Sequence, residues 1–110
     1  MSAAPEPWLP DTATEWNGRP VARKVVDARP RCRAVLTGTV RAVEAHHGAA
    51  LDAWLDDGSG TIVVRWLGRE AVPGVTAGRR VRVEGTVGEA HGRLRILNPL
   101  YRFEPGAPGG

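Results

Sequence analysis

Three histidines and one cysteine are the side chains in this sequence best suited to holding a metal ion: His46, His47, His91 and Cys32. Adjacent histidines rarely converge on one ion, and the sequence lacks the Cys-x-x-Cys and His-x-x-x-His spacings that zinc sites use. We therefore predict no metal site. The histidines are expected to lie in solvent, where they add positive charge below about pH 6.5.

The side chains that could act in catalysis are poorly placed for it. Asp56 and Asp57 are neighbours, which would point to opposite faces of a strand, and they precede Gly-Ser-Gly, which favours a turn. Ser59 is one of two serines and lacks the strand–turn–helix context of a nucleophile. Cys32 is the only cysteine, so no internal disulfide is possible. The sequence predicts a protein that is not an enzyme and has no cofactor.

Base stacking and phosphate contact are the chemistry that remains. Of the 15 basic residues, all are arginine except Lys24, and the net charge is +3. The isoelectric point is about 10.0. Arginine makes bidentate contacts to phosphate and stacks on bases. A GC-rich genome would also enrich arginine at any surface position, so the charge is compatible with a nucleic-acid partner without requiring one.

Residues 51–67 have the pattern of a β-hairpin, with Asp-Asp-Gly-Ser-Gly as its turn. Because side chains alternate between the faces of a strand, one face of each run is expected in the core. The inward set is Leu51, Ala53, Leu55, Ile62, Val64 and Trp66. The outward set is Asp52, Trp54, Asp56, Thr61, Val63 and Arg65.

Five β-rich runs follow one another along the chain, with glycine where a small barrel must bend. They cover residues 32–45, 51–56, 61–67, 79–87 and 92–103, the last broken at Asn98-Pro99, while residues 69–78 form a loop or one helical turn. On the first run we expect Leu36, Val40 and Ala42 inside and Thr39 and Arg41 outside; a bulge at Gly38 would reverse this order. The pattern favours an all-β, five-stranded Greek-key OB-fold barrel, with an SH3-like barrel as the alternative.

The composition divides the chain into an irregular N-terminal arm at residues 1–20, an OB-fold domain at residues 21–104 and a flexible tail at residues 105–110. Residues 20–28 are expected to form a short helical turn before the first strand. Trp8 and Trp16 are unusual in an irregular arm and are expected to dock on the barrel or on a partner. No apolar run approaches the ~20 residues of a membrane span and no signal-peptide pattern is present, so we expect a cytoplasmic protein without membrane contact.

Four segments between residues 33 and 103 carry a resemblance to a known family: "LTGTV", "LDDGSGTIVVRWLGRE", "VTAGRRVRVEGTV" and "GRLRILNPLYRFE". In order and spacing they resemble the stand-alone OB-fold proteins of actinobacteria, and they are similar to the wedge OB domain of the RecG helicase. The resemblance implies an OB barrel that binds nucleic acid and has no enzymatic activity of its own. The chain departs from RecG in lacking a Gly-x-x-x-x-Gly-Lys-[Ser/Thr] loop, and the arm lies outside the resemblance.

OB barrels bind single nucleic-acid strands across the outer face of their second and third β-strands. The site lies between the loops that join β-strand one to two and β-strand four to five. Here those loops are residues 45–48 and 89–92. The predicted site is a stacking tryptophan with arginines beside it and histidines at the rims: Trp54, Val63, Arg65, Arg41, His46, His47 and His91. Arg82, Arg93 and Arg95 belong to a basic ridge on strands four and five, which is either a phosphate-contacting stripe or a solvated face.

Two functions follow from these residues. The first is weak, low-specificity binding of single-stranded or junction nucleic acid, with DNA favoured over RNA although no residue pattern recognises a 2′-hydroxyl. The second is a protein-interaction or self-association module that uses the arm with Trp8 and Trp16, which the acidic Asp52 and Asp56 beside Trp54 favour. The sequence leaves open whether Trp54 is free or is covered by the arm or by a second subunit.

Overall fold

The computed structural model describes residues 8–105, and the regular secondary structure of this range is almost entirely β-strand. The predicted tail beyond Pro105 and the first seven residues of the predicted arm lie outside it. A 3-10 turn spans Val25–Asp27. The strands of this range are β1 Glu15–Trp16, β2 Arg19–Pro20, β3 Arg33–His46, β4 Ala50–Asp56, β5 Thr61–Leu67, β6 Arg80–Ala90, β7 Arg93–Leu97 and β8 Leu100–Phe103.

The sheet closes on itself because β3 is long enough to serve two neighbours. Its first half, up to Thr39, pairs with β6, and its second half pairs with β4. Between them the order is β4, β5, β7 and β6, and only the β5–β7 pairing is parallel. Gly38 lies where β3 passes from one neighbour to the other, and a Cβ there would stand 2.5 Å from the carbonyl oxygen of Asp56. The close approach of two backbones therefore requires glycine at this bend.

The fifth predicted run forms two strands that continue one another along β6. β7 pairs with residues 87–90 of β6 and β8 with residues 81–84. The break falls at the predicted Asn98-Pro99, where Asn98 has a φ of 47°. Its backbone N–H donates to Arg65 O at 2.7 Å, and its side-chain oxygen accepts from the N–H of Leu67 at 2.9 Å. The bend is thereby held against the end of β5.

The core lies inside this closed sheet, and the predicted alternation of the hairpin is confirmed. Its inward residues are 1–5% exposed. The inward assignment of Ala42 is wrong, because Ala42 is exposed. The register slips between Val40, opposite Leu55, and Ala42, opposite Trp54, so Arg41 is the extra residue of a bulge. The bulge therefore lies at Arg41 and not at Gly38, the position where the sequence allows one. Residues 68–79 form a helix-free loop that buries Val72 and Val75 in the core.

The described part of the arm packs on the barrel and contains a small ribbon. β1 and β2 pair as a two-stranded antiparallel sheet, a regular element in a segment that the sequence predicts to be irregular. Ala22 then bridges to Ala34, beside the half of β3 that has no β4 partner. This bridge covers a strand edge that would otherwise be free to pair with another chain.

Both arm tryptophans contact arginines of the barrel, which agrees with the expectation that they dock there. Arg82 and Arg102 lie 5.5 and 5.1 Å from the ring centre of Trp8, and Arg33 lies 5.2 Å from that of Trp16. These distances are typical of cation–π contacts. The arm is therefore attached to β3, β6 and β8.

Candidate nucleic-acid interface

The outer face of β4, β5 and β7 presents a row of side chains from neighbouring strands. Trp54 is opposite Val63, and Val63 is opposite Arg95. Residues opposite one another project from the same face of a sheet. With strands about 4.8 Å apart, the Cα atoms of Trp54 and Arg95 are separated by about 10 Å. The row ends at small residues, with Ala42 beside Trp54 and Gly88 beside Arg95, so neither end is walled by a large side chain.

Two adjacent cavities lie along this face and share Trp54, Val63, Arg93 and Leu94. The first, of about 310 Å³, lies toward the hairpin turn, and we name it the apolar cavity. Its remaining lining comes from Val25, Thr61 and Ile62. The second, of about 200 Å³, lies toward the other end of the hairpin, and we name it the polar cavity. Its remaining lining comes from Asp52, Arg65, Ala90, His91 and Arg95.

The 3-10 turn is fixed against the hairpin turn and so forms one wall of the apolar cavity. The carboxylate of Asp57 accepts from the N–H of Val25 at 2.9 Å, and the hydroxyl of Ser59 accepts from the N–H of Val26 at 3.1 Å. Burial raises the pKa of Asp57, but hydrogen bonds from Ser59 and Val25 outweigh it, and the net pKa is lowered. Asp56 accepts from the N–H of Gly58 at 2.8 Å. Both carboxylates thus have the turn role that the sequence predicts.

In the polar cavity, Arg65 is held by a carboxylate. Its Nε donates to Asp52 Oδ1 at 2.6 Å and its Nη2 to Asp52 Oδ2 at 2.8 Å. His46 Nε2 lies 3.0 Å from the same Oδ2. The hydrogen bond from Arg65 lowers the pKa of Asp52 despite its burial. Asp52 is only 5% exposed, so the predicted outward Asp52 is covered by its partners. The sequence signal for this pair was the opposite charge of two outward residues at matching hairpin positions.

Apart from the basic ridge, three predicted site residues line neither cavity: Arg41, His46 and His47. The Arg41 guanidinium is 3.1 Å from Asp56. The N–H of Gly58, followed by Arg41, lowers the pKa of Asp56. His47 lies 3.1 Å from Glu70, and its side chain is almost fully exposed. These pairs lie in solvent, where such contacts contribute little.

We call the two cavities together the groove. Arg93 and Arg95 are arginines of the groove that have no carboxylate partner within residues 8–105. They are two residues apart on β7 and therefore share a face. Neither makes an ion pair with any residue between 8 and 105. Arg93 lines both cavities and Arg95 lines the polar one, as does His91, which has a φ of 54° in the β6–β7 turn. This part of the predicted basic ridge reaches the groove.

Arg82, from the same predicted ridge, does not line either cavity. It lies under the arm, where its Nη2 donates to Asp11 at 2.8 Å. Its side chain is 15% exposed. The groove residues that sequence reasoning missed are Val25 and Leu94. Val25 arrives through long-range contacts with the hairpin turn, for which the sequence carries no signal, and Leu94 is half-buried between two outward arginines.

Comparison with known proteins supports the fold. No family model and no curated protein matches the chain. It is similar to a chain in a structure of a replication protein A heterotrimer bound to single-stranded DNA, with a TM-score of 0.57 and 23% sequence identity. The match covers 66% of this chain and 57% of that one. At this identity the likeness shows the fold alone, that of an OB-fold protein. The likeness to the RecG wedge domain and an actinobacterial origin stay predictions.

Within residues 8–105, two absences bear on other kinds of site. No helix there has the length and apolar character to cross a bilayer. No group of three or more His, Cys, Asp or Glu side chains is placed to hold a metal ion there.

Proposed function

We propose that this protein binds single-stranded nucleic acid in the groove, by stacking bases on Trp54 and contacting phosphates with Arg93 and Arg95. The observation that carries the proposal is the position of Trp54. Its half-buried ring lines two open cavities, beside two arginines without carboxylate partners within residues 8–105. Stacking on an aromatic side chain contributes roughly 1–3 kcal/mol per base and tolerates any sequence. With one such ring, the binding is weak and of low specificity.

The proposed scaffold is a five-stranded Greek-key OB barrel in which β7 and β8 together make the fifth strand. Support for the ligand class comes from the structural neighbour, whose heterotrimer is bound to single-stranded DNA. DNA is favoured over RNA, and single-stranded or junction substrates are the ones to test first. The protein acts as a binding module rather than an enzyme. A cytoplasmic location stays a prediction.

The protein-interaction alternative has less support. Its motivating residues, Trp8 and Trp16, lie against arginines of their own barrel. The cavities are lined only by residues from Val25 onward, so no described arm residue covers Trp54 in the groove. The arm would therefore have to detach from β3, β6 and β8 before it could capture a partner.

Fluorescence anisotropy of labelled single-stranded DNA, single-stranded RNA and a forked duplex, at low and moderate salt, tests the proposal. We expect Trp54→Ala to weaken binding of single-stranded DNA at least about fivefold, which corresponds to ~1 kcal/mol. Trp54→Phe keeps a stacking ring and should lose less affinity than Trp54→Ala. Trp16→Ala is the matched control, since its ring lies against Arg33 and lines neither cavity, and it should leave the affinity unchanged.

Two results would contradict the proposal in different ways. Unchanged affinity of Trp54→Ala would remove the groove as the site. Absence of binding to all three ligands at low salt, where phosphate attraction is strongest, would remove the activity itself. The interaction alternative would then lead, and light scattering of the full chain would test it.

A further inference from the structure

The two cavities share a wall that includes Trp54 and Val63. Along β5 the apolar cavity includes Thr61 and the polar cavity includes Arg65, with Val63 in both. Thr61 and Arg65 are four positions apart, about 13 Å, and Val63 lies midway between them. Trp54, which lines both cavities beside Val63, therefore has room for one base on each side of its ring.

The cavities differ in the chemistry that they offer a base. In the apolar cavity, Val25, Ile62 and Leu94 offer apolar contact. Its polar side chains are Thr61 and Arg93, of which Arg93 also lines the polar cavity. In the polar cavity, Arg65 is oriented by the two hydrogen bonds that its Nε and Nη2 donate to Asp52. Its Nη1 donates to no acceptor within residues 8–105 and remains available.

The carboxylate behind Arg65 is covered by its partners, since Asp52 is only 5% exposed. Asp52 Oδ1 accepts from Arg65, while Oδ2 lies within hydrogen-bond distance of both Arg65 and His46. The polar cavity thus presents a fixed donor, and the acceptor behind it is buried. At the ring position where guanine presents O6 and thymine and uracil present O4 as acceptors, adenine and cytosine place an amino donor; N7 is an acceptor in both guanine and adenine, so the exocyclic group alone makes the difference. An amino group would meet the guanidinium donor to donor.

Arg93 lines both cavities, so its guanidinium is within reach of a phosphate that joins a base in one cavity to a base in the other. Resting on the proposed function, we propose that the groove holds two consecutive unpaired bases, one in each cavity with Trp54 between them. The polar cavity selects a keto base (guanine, thymine or uracil) over adenine or cytosine through Arg65. Asp52 and His46 are positioning residues for that guanidinium.

The unlike cavities predict that the order of two bases matters. The probes are labelled DNA oligonucleotides that are abasic except for two adjacent bases, thymine–adenine in one and adenine–thymine in the other. Because only one order places thymine in the polar cavity, we expect affinities for the full-length protein that differ by about fivefold, the value of one hydrogen bond. A third adjacent base should add no further affinity.

Variants assign the preference to Arg65. Arg65→Met/Asp52→Asn removes the donor without leaving a buried charge, and should bind both orders equally. Arg41→Met/Asp56→Asn changes the same residue types outside the cavities and should keep the preference. Equal affinity of the wild-type protein for the two orders would overturn the inference, whether or not the variants fold. If Trp54→Ala still weakens both orders in that case, the proposed function stands; if no oligonucleotide binds, the proposed function fails.

Discussion

Two faces of the barrel combine tryptophan with arginine, but one face is open to a ligand and the other is covered by the arm. On the groove face, formed by β4, β5 and β7, Trp54 borders two cavities, and Arg93 makes no ion pair within residues 8–105. On the arm-covered face, formed by β6, β8 and the first half of β3, Trp8 lies against Arg82, and Arg82 is also paired with Asp11. The same residue types therefore border open cavities on one face and are covered by the chain itself on the other, where the Nε of Arg82 is buried without a hydrogen-bond partner within residues 8–105.

The buried carboxylates explain why the second face is structural. The side chain of Glu84 is fully buried, 2.9 Å from Arg33, and accepts from the N–H of Leu9 at 2.9 Å. A buried charge must be paired, and here one of the two donors belongs to the arm. Asp52 on the groove face is buried too, but its partner Arg65 borders an open cavity. The arm therefore completes the barrel on one side and leaves the other side open.

The largest expected effect comes from breaking the buried pair under the arm. Arg33→Met leaves Glu84 with the N–H of Leu9 as its remaining donor among the hydrogen bonds of residues 8–105. We expect the free energy of unfolding to fall by about 3 kcal/mol, at the lower end of the range for buried pairs because Arg33 is partly exposed. Urea denaturation at neutral pH measures it. The exposed Arg69→Met should change stability by less than about 0.5 kcal/mol. An equal effect of both variants would show that Glu84 does not depend on Arg33.

A smaller loss is expected at the bend that joins the two faces. Gly38→Ala places a Cβ 2.5 Å from the backbone oxygen of Asp56, so β3 and β4 must separate. Overpacking of this kind costs about 1–3 kcal/mol. Gly88→Ala is the control, since its Cβ would have no neighbour closer than 3.9 Å. Thermal or urea unfolding of the two variants compares them, and equal stabilities would mean that the bend opens freely.

The salt dependence of binding compares the arginines of the two faces directly. For a single strand, log K changes with log salt by about −0.7 per phosphate neutralised. Arg93→Ala/Arg95→Ala should reduce the magnitude of this slope by about 1.4. Arg82→Ala/Arg102→Ala removes the same net charge from the face where Trp8 packs, outside both cavities, and should leave the slope unchanged while lowering stability. Anisotropy titrations over a salt series measure both, and equal slopes for the two double variants would assign the effect to net charge alone.

The local sequence pattern predicted the strands and turns better than it predicted which side chains are exposed and without partners. The hairpin faces follow from the two-residue period of a strand, and the Asn98-Pro99 break follows from proline chemistry. Ala42 was misplaced because a single bulge residue reverses every later side chain on its strand. Alternation gave no sign that the bulge lies at Arg41.

The candidate site shows the same limit. Trp54 could be predicted because outward position on an OB barrel is a local property of the hairpin. The commitment of Arg65 to Asp52 depends on cross-strand geometry, and the burial of Arg82 depends on a contact with Asp11 across the chain. Residue type alone therefore marked the arginines of both faces as equivalent, and only tertiary contacts separate them.

The smallest expected effect is the pH dependence of the two carboxylate–arginine pairs. The pKa of Asp52 is lowered chiefly by the hydrogen bond from Arg65, and that of Asp11 by the one from Arg82. A lowered folded-state pKa adds stability above the unfolded value, near 3.8, that is lost as the pH falls through the folded value. Asp52→Asn should therefore be less stable than wild type at neutral pH, and the difference should shrink below about pH 4.

Asp11→Asn should show the same trend with a smaller amplitude, because the Asp11 side chain is 83% exposed and its ion pair is screened by water. Urea midpoints measured from neutral pH down to about pH 2.5 compare the two variants with wild type. Asp56 and Asp57 titrate in the same range, but they are present in all three proteins and cancel in the differences. A pH-independent difference for Asp52→Asn would mean that the pair holds Arg65 in place without lowering the carboxylate's affinity for protons.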